Sequence, residues 1–124
     1  MKYQSEFESG FHRGDIWLSS WGAGHVGEPT GTRPAVIVSA DMRSTGSVYD
    51  LIVIAPFSAT LPGAMSRPVV LPSSENGLAT KSVVVVRALR GVAPDRLLKR
   101  VGRLDGDVVG FIDELLVEIL GLDM

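Results

Sequence analysis

A chain of 124 residues that is 45% hydrophobic and 21% charged has the profile of one compact domain with its own core, and it is too short for two. It contains no cysteine, which excludes disulfides, thiolate metal sites and thiol catalysis. The net charge of −2 argues at first against a polyanion partner, but residues 105 to 124 hold six acids and no base; twelve bases then face eight acids before Asp105, so a nucleic-acid partner is permitted.

Residues 1 to 12 read as a flexible polar lead-in without apolar period, and Glu6 and Glu8 do not belong in a signal peptide's apolar segment. No apolar run approaches membrane-spanning length, so the chain is expected in the cytoplasm. Strand candidates then arrive at close intervals: "DIWLSSW" (15–21), "PAVIVS" (34–39), "LIVIAPF" (51–57), "RPVVLP" (67–72) and "SVVVVRAL" (82–89). Unbroken runs such as "LIVIA" and "VVVV" predict strands covered on both faces, hence a strongly bent or closed sheet. "APDRLLKR" predicts a short helix opened by Pro94, and "VGRL" a brief strand. In "LDGDVVGFIDELLVEILGL" the apolar residues Val108, Ile112, Leu115 and Ile119 recur at helical spacing, with Asp105 as cap, Asp107 at the positive end of the dipole and Gly121 as terminator. The whole of 1–124 is thus expected to be a single mainly β (α+β) domain, a small β-barrel with a C-terminal helix.

Gly22, Gly24 and Gly27 in "WGAGHVGEPTGTRP" have GxGxxG spacing, the form of a dinucleotide fingerprint. That fingerprint works only where a helix follows and its N-terminus receives the pyrophosphate. Pro29, Gly31 and Pro34 prevent such a helix, so the stretch reads as a glycine-rich connection between two strands. No cofactor is implied.

The residues left to carry chemistry are few. His12 and His25 have no second ligand in metal spacing, so no metal is expected, and neither a GxSxG elbow nor a P-loop is present. His25 in the loop is either a proton shuttle or a solvated histidine. Polar residues gather instead at strand ends: Glu28 and Arg33 around "GEPTGTRP", Ser58 at the end of "IAPFS", and Arg87 and Arg90 in "RALRG". Arg33, beside Pro34, either points at a partner or forms a surface bridge to a carboxylate. Ser58 alone reads as a strand-end turn residue rather than a functional hydroxyl.

The ordered set "RGDIW" (13–17), "GEPTGTRPAVIVS" (27–39), "LIVIAPFS" (51–58), "KSVVVVRALRGV" (81–92) and "DRLLKRVGRLDGDVVGFIDELLVEILGL" (95–122) resembles the MazF/PemK (Kid) toxins of bacterial type II toxin–antitoxin systems over nearly everything after residue 12. The resemblance implies an SH3-like barrel and a homodimeric, ribosome-independent and metal-independent endoribonuclease. It further implies silencing by a MazE-like antitoxin, with DNA met only through that antitoxin. It maps the catalytic arginine to Arg33, the catalytic hydroxyl to Ser58, which in many members is a threonine, and a loop glutamate to Glu28. Single-stranded RNA would be cut by attack of a ribose 2′-OH on the adjacent phosphate, leaving 2′,3′-cyclic phosphate and 5′-OH ends. Arg33 would brace the phosphoryl oxygens, Ser58 would hold the phosphate and Glu28 would be a candidate base. Arg90 and Arg87 would grip RNA, with Trp21, His25 and Thr32 as further substrate contacts admitting splayed bases.

The chain departs from the family pattern in "SSWGAG" at 19–24, in "GEP" where the family has "SEQ", and in Arg87–Ala88 where it has an acidic–Gln pair. These departures bear on the cleavage sequence. Two alternatives share the fold: a non-catalytic, gyrase-binding toxin resembling CcdB, and an inactive antitoxin-binding relative.

Overall fold

The computed structural model describes residues 10–43, 50–60 and 67–123. In chain order the elements are β1 (Gly10–Phe11), β2 (Asp15–Ser20), β3 (Thr32–Ile37), β4 (Met42–Arg43), β5 (Ile52–Ser58), β6 (Val69–Val70), β7 (Ser82–Val84), β8 (Arg90–Val92), β9 (Leu97–Arg103) and α1 (Gly106–Leu120), with 3-10 turns at Val86–Ala88 and Pro94–Arg96. One antiparallel sheet runs β6-β7-β5-β3-β2-β9, β8 also pairs with β5, and β1 and β4 form a separate ribbon. It is a curled half-barrel with one C-terminal helix, of the mainly β class expected.

Both faces of this sheet are covered, which accounts for the unbroken apolar runs. Ile16, Val36, Ala55 and Phe57 lie on one face, where Val108, Val109, Leu115, Leu116 and Ile119 of α1 pack around the buried Ile112. Their neighbours Trp17, Ala35, Ile37, Ile52 and Ile54 lie on the other, joined by Phe11 and Met42 from the ribbon and by Val92 and Leu97. Burying a side chain such as Ile112 contributes about 1.5–3 kcal/mol.

Four sequence expectations are corrected. Of the lead-in 1–12, residues 1–9 lie outside the described ones, but Gly10–Phe11 is strand β1, paired with Met42–Arg43, and the Phe11 ring sits 5.2 Å from that of Trp17. "SVVVVRAL" is not one strand. Val83 and Val84 pair with Ser58 and Phe57, the chain then turns, and Arg90–Val92 pairs with Ile54–Ile52 further along the same edge of β5. Pro56 is the cause: its carbonyl faces that edge and accepts from the Val85 N–H (2.9 Å), while its nitrogen, facing the same way, has no hydrogen to give. "RPVVLP" keeps only Val69–Val70 as strand. In "APDRLLKR" Pro94 opens a single 3-10 turn, and Leu97 already belongs to β9, because pairing with β2 overrides local helix propensity.

Helix α1 begins at Gly106, after Asp105, as the periodicity predicts. The Asp105 side chain makes no cap hydrogen bond, although its carbonyl accepts from the N–H groups of Val108 and Val109. Gly121 ends the helix in the left-handed region (φ 69°). Beyond β6 the turn at 75–77 lies with its backbone against β9. The Arg103 N–H donates to the Glu75 carbonyl (2.8 Å), and a Cβ on Gly77 or Gly102 would fall onto the backbone of Val101 or Asn76. Asp15, fully buried at the start of β2, is neutralised by Arg100 (3.1 Å) and Arg103 (3.0 Å) from β9.

Candidate active site

In an antiparallel pair, directly opposed residues share a face. Ser19 opposes Arg33 across β2 and β3. The β3–β5 pairing ends at Ala35–Pro56, and its register counted two residues further brings Arg33 level with Ser58, in keeping with the 3.5 Å approach of Arg33 Nη1 to the Phe57 carbonyl. Ser19, Arg33 and Ser58 therefore form one polar row at the end of the face that carries Trp17, Ala35 and Ile37. Arg90 joins this face from β8, opposite Ile54.

The half-buried Arg33 guanidinium is held by carbonyls. Its Nε and Nη2 donate to the Thr30 carbonyl (3.1 and 3.0 Å), and Nη1 lies 3.5 Å from the Phe57 carbonyl. Among the described residues no carboxylate pairs with it, so the surface-bridge reading of Arg33 falls away. N–H donors on both Nη nitrogens are left over, and the positive charge is held without a counter-charge. The Ser58 hydroxyl donates to the Thr60 carbonyl (3.3 Å) and accepts from the Thr60 N–H (3.2 Å), the local turn its strand-end position predicts.

Trp21 and Gly31 close the base of the 22–30 loop: the Trp21 N–H donates to the Gly31 carbonyl and the Gly31 N–H to the Gly22 carbonyl, each at 2.8 Å. Gly22, Gly27 and Gly31 all have positive φ (68°, 90° and 72°), so the glycines serve the path of the loop, and no helix follows them. Within the loop the Glu28 N–H donates to the His25 carbonyl (2.9 Å), and Glu28 Oε1 accepts from the His25 N–H (3.0 Å), packed against the bare Cα of Gly24.

A cleft of about 480 Å³ opens between this loop and the corner 85–90. Glu28 lines it from the loop, Arg87, Arg90 and Arg67 from the other side, and Trp21 from its floor. Three guanidinium groups against one carboxylate give it a positive character suited to a polyanion. The predicted residues are thus divided. Glu28, Trp21, Arg87 and Arg90 meet at the cleft, Arg33 and Ser58 face each other in the row beside it, and exposed His25 and Thr32 do not line it. Trp21, expected to meet RNA from a mobile loop, is instead only 3% exposed because the second core encloses its ring, and the Arg90 guanidinium lies over it at 5.5 Å. Sequence reasoning missed Arg67, although "RP" at 67–68 repeats the Arg33–Pro34 step, and it missed Ser19, whose hydroxyl is fully buried.

No three His, Asp or Glu side chains converge in metal-binding fashion among the described residues. No helix is long and apolar enough to cross a membrane.

Comparison with known proteins identifies the family and the fold. The model of the PemK-like, MazF-like toxin family of type II toxin–antitoxin systems matches residues 12–120. The endoribonuclease MazF9 of Mycobacterium tuberculosis is 26% identical over 107 residues, covering 84% of this chain and 91% of its own. Among solved structures, MazF of Deinococcus radiodurans superposes with a TM-score of 0.71 at 19% identity, over 90% of this chain and 96% of that one. A mycobacterial endoribonuclease in complex with its cognate antitoxin superposes with a TM-score of 0.66 at 20% identity, over 91% and 95%. With the family model spanning almost all of the chain after residue 11, this protein belongs to the PemK-like, MazF-like toxins of type II toxin–antitoxin systems.

Proposed function

We propose that this chain is a toxin endoribonuclease that cuts single-stranded RNA with its own side chains, leaving 2′,3′-cyclic phosphate and 5′-OH ends. The observation that carries this is the Arg33 guanidinium, which no carboxylate among the described residues pairs and which two backbone carbonyls hold level with a hydroxyl, Ser58, near a cleft walled by three arginines.

The chemistry follows from those positions. As the 2′-OH attacks the phosphate, negative charge gathers on the phosphoryl oxygens, and a guanidinium already fixed by its other donors stabilises that charge with little reorganisation. The Ser58 hydroxyl exchanges the Thr60 carbonyl for a phosphate oxygen, a switch between two acceptors at a strand end. Glu28 is the carboxylate facing the cleft and takes the 2′-OH proton once RNA draws the loop inward; the P–O5′ bond breaks as the 2′ oxygen bonds to phosphorus, and the departing 5′ oxygen takes a proton from solvent water. Arg87 and Arg90 bind flanking phosphates, which makes affinity fall with salt. The protein acts as a homodimer in the cytoplasm, and a MazE-like antitoxin silences it by covering the positive cleft.

The test is incubation of the purified protein with a mixed RNA pool in EDTA, followed by mapping of new 5′ ends. New 5′-OH ends that disappear in Arg33→Ala support the proposal. Undiminished cutting by Arg33→Ala overturns the assignment, and the absence of new ends with every RNA leaves a binding toxin.

A further inference from the structure

Two arginines with different tasks, Arg33 and Arg90, lie on different strands, and one buried side-chain chain joins them. The Trp21 indole Nε1–H donates to the Ser19 hydroxyl (2.9 Å), and that hydroxyl donates to the backbone carbonyl of Arg33 (2.8 Å). The other end of Trp21, its ring, lies beneath the Arg90 guanidinium at 5.5 Å. Ser19 is 0% and Trp21 3% exposed. We infer that Ser19 and Trp21 are positioning residues: a rigid relay that fixes the Arg33 backbone at one end and the Arg90 guanidinium at the other, and so sets the distance between the reacting phosphate and the flanking one.

The physical reasons are separable. A buried serine hydroxyl has one proton to give, and here it gives it to Arg33; its lone pairs face the indole N–H, so neither group is left unpaired inside the core. Arg33 is the second residue of β3 and precedes Pro34, whose nitrogen has no hydrogen for the ladder, so the Ser19 hydroxyl adds a side-chain tether at a point where β3 is short of backbone hydrogen bonds. Arg90 is exposed, and a long exposed side chain is held in one place only by a partner such as an aromatic face. The segment carrying the relay is "SSW" at 19–21, where this chain departs from the family pattern. The departure therefore lies beneath the arginines as well as along the RNA path.

This inference rests on the proposed nuclease reading, and the experiment separates the two. Steady-state cleavage of a single-stranded oligoribonucleotide is measured for Ser19→Ala, Trp21→Phe, Trp21→Leu and Arg33→Ala, alongside binding of the uncleavable all-deoxy oligonucleotide. Trp21→Phe keeps the ring and loses the N–H. It should lower kcat about ten-fold with KM within about two-fold, as should Ser19→Ala, and the double variant should be no worse than either alone. Trp21→Leu removes the ring. It should in addition weaken binding of the deoxy oligonucleotide about five-fold, as Arg90→Ala does, and combining it with Arg90→Ala should add nothing to that loss. A merely structural role would lower the melting temperature while leaving kcat and KM of the folded fraction unchanged, which overturns the relay. So do independent, multiplying effects of Trp21→Leu and Arg90→Ala on binding. Wild-type cutting by Arg33→Ala instead overturns the assignment of Arg33 and with it the Arg33 end of the relay; the absence of any cutting by the unaltered protein overturns the nuclease reading, and the binding comparison then still decides the Arg90 end.

Discussion

The two faces of the sheet are built from the same strands and differ in what closes them. On the helix side Ile16, Val36, Ala55 and Phe57 meet Ile112 and its neighbours, and the packing is apolar. On the opposite side the apolar rows of Trp17, Ala35, Ile37, Ile52 and Ile54 end in a polar one, Ser19, Arg33 and Ser58, with Arg90 nearby. Alternation along a strand thus separates the two sides: Val36 packs under the helix, and Arg33, three positions earlier on the same strand, lies on the opposite face. Residues at the end of a packed face are held by the strands, while the neighbouring loop takes its path from positive-φ glycines at 22, 27 and 31.

The sharpest way to test this division is to damage one face and read the other. Ile112→Ala removes the centre of the helix-side packing and should cost about 2–5 kcal/mol in urea unfolding. Cleavage per folded molecule should stay within about two-fold at temperatures well below the melt. Arg33→Ala should do the reverse, with kcat falling roughly 10²-fold or more while the urea midpoint hardly moves, since the guanidinium holds only loop and strand-end carbonyls. If Ile112→Ala slowed the chemistry as much as it weakened the fold, the two faces would not be separable. Ser58→Ala is the intermediate case. It should lower kcat about ten-fold, and Ser58→Thr, which keeps the hydroxyl, should retain activity within a few-fold of wild type.

Much of this was legible in the sequence where the signal is local. The strands of Val and Ile, the helical stripe of Val108, Ile112, Leu115 and Ile119, and Gly121 as its terminator all express themselves within a few residues. What escaped depends on partners far along the chain. Pro56 breaks the ladder only because its nitrogen faces the β7–β8 edge, and residue 56 alone does not say which edge it faces. Gly77 and Gly102 are needed because two distant backbones touch. Trp21 reads as a loop residue because glycines follow it, yet its pairing with Gly31 carries it into the core. In the site, Arg33 and Ser58 stand out as polar residues at strand ends and the family pattern suggests their roles, whereas their alignment across β3 and β5 comes from the register, and buried Ser19 looks like any strand serine.

The smallest expected effect lies at the rim of the site face, where the β1–β4 ribbon is anchored. Asp41 Oδ1 accepts from the Arg13 N–H (2.8 Å), and that bond, with a smaller contribution from His12 3.6 Å away, holds its carboxyl below the ordinary value of 3.8, against a partial opposing effect of burial. A carboxyl whose folded pKa is depressed adds stability that is present above its unfolded pKa and fades as pH falls through the folded one. Asp41 therefore contributes fully above about pH 5 and loses its contribution from about pH 4 downward. Because its side chain is mostly exposed, the change is local: amide exchange at Phe11 and Arg13 should quicken between pH 5 and pH 3 by more than the intrinsic exchange rate predicts, while exchange in α1 should not. Asp41→Asn should exchange faster than wild type at pH 5 and converge with it at pH 3. A difference between the two proteins that persisted unchanged at pH 3 would mean that the Asp41 charge does not hold the ribbon.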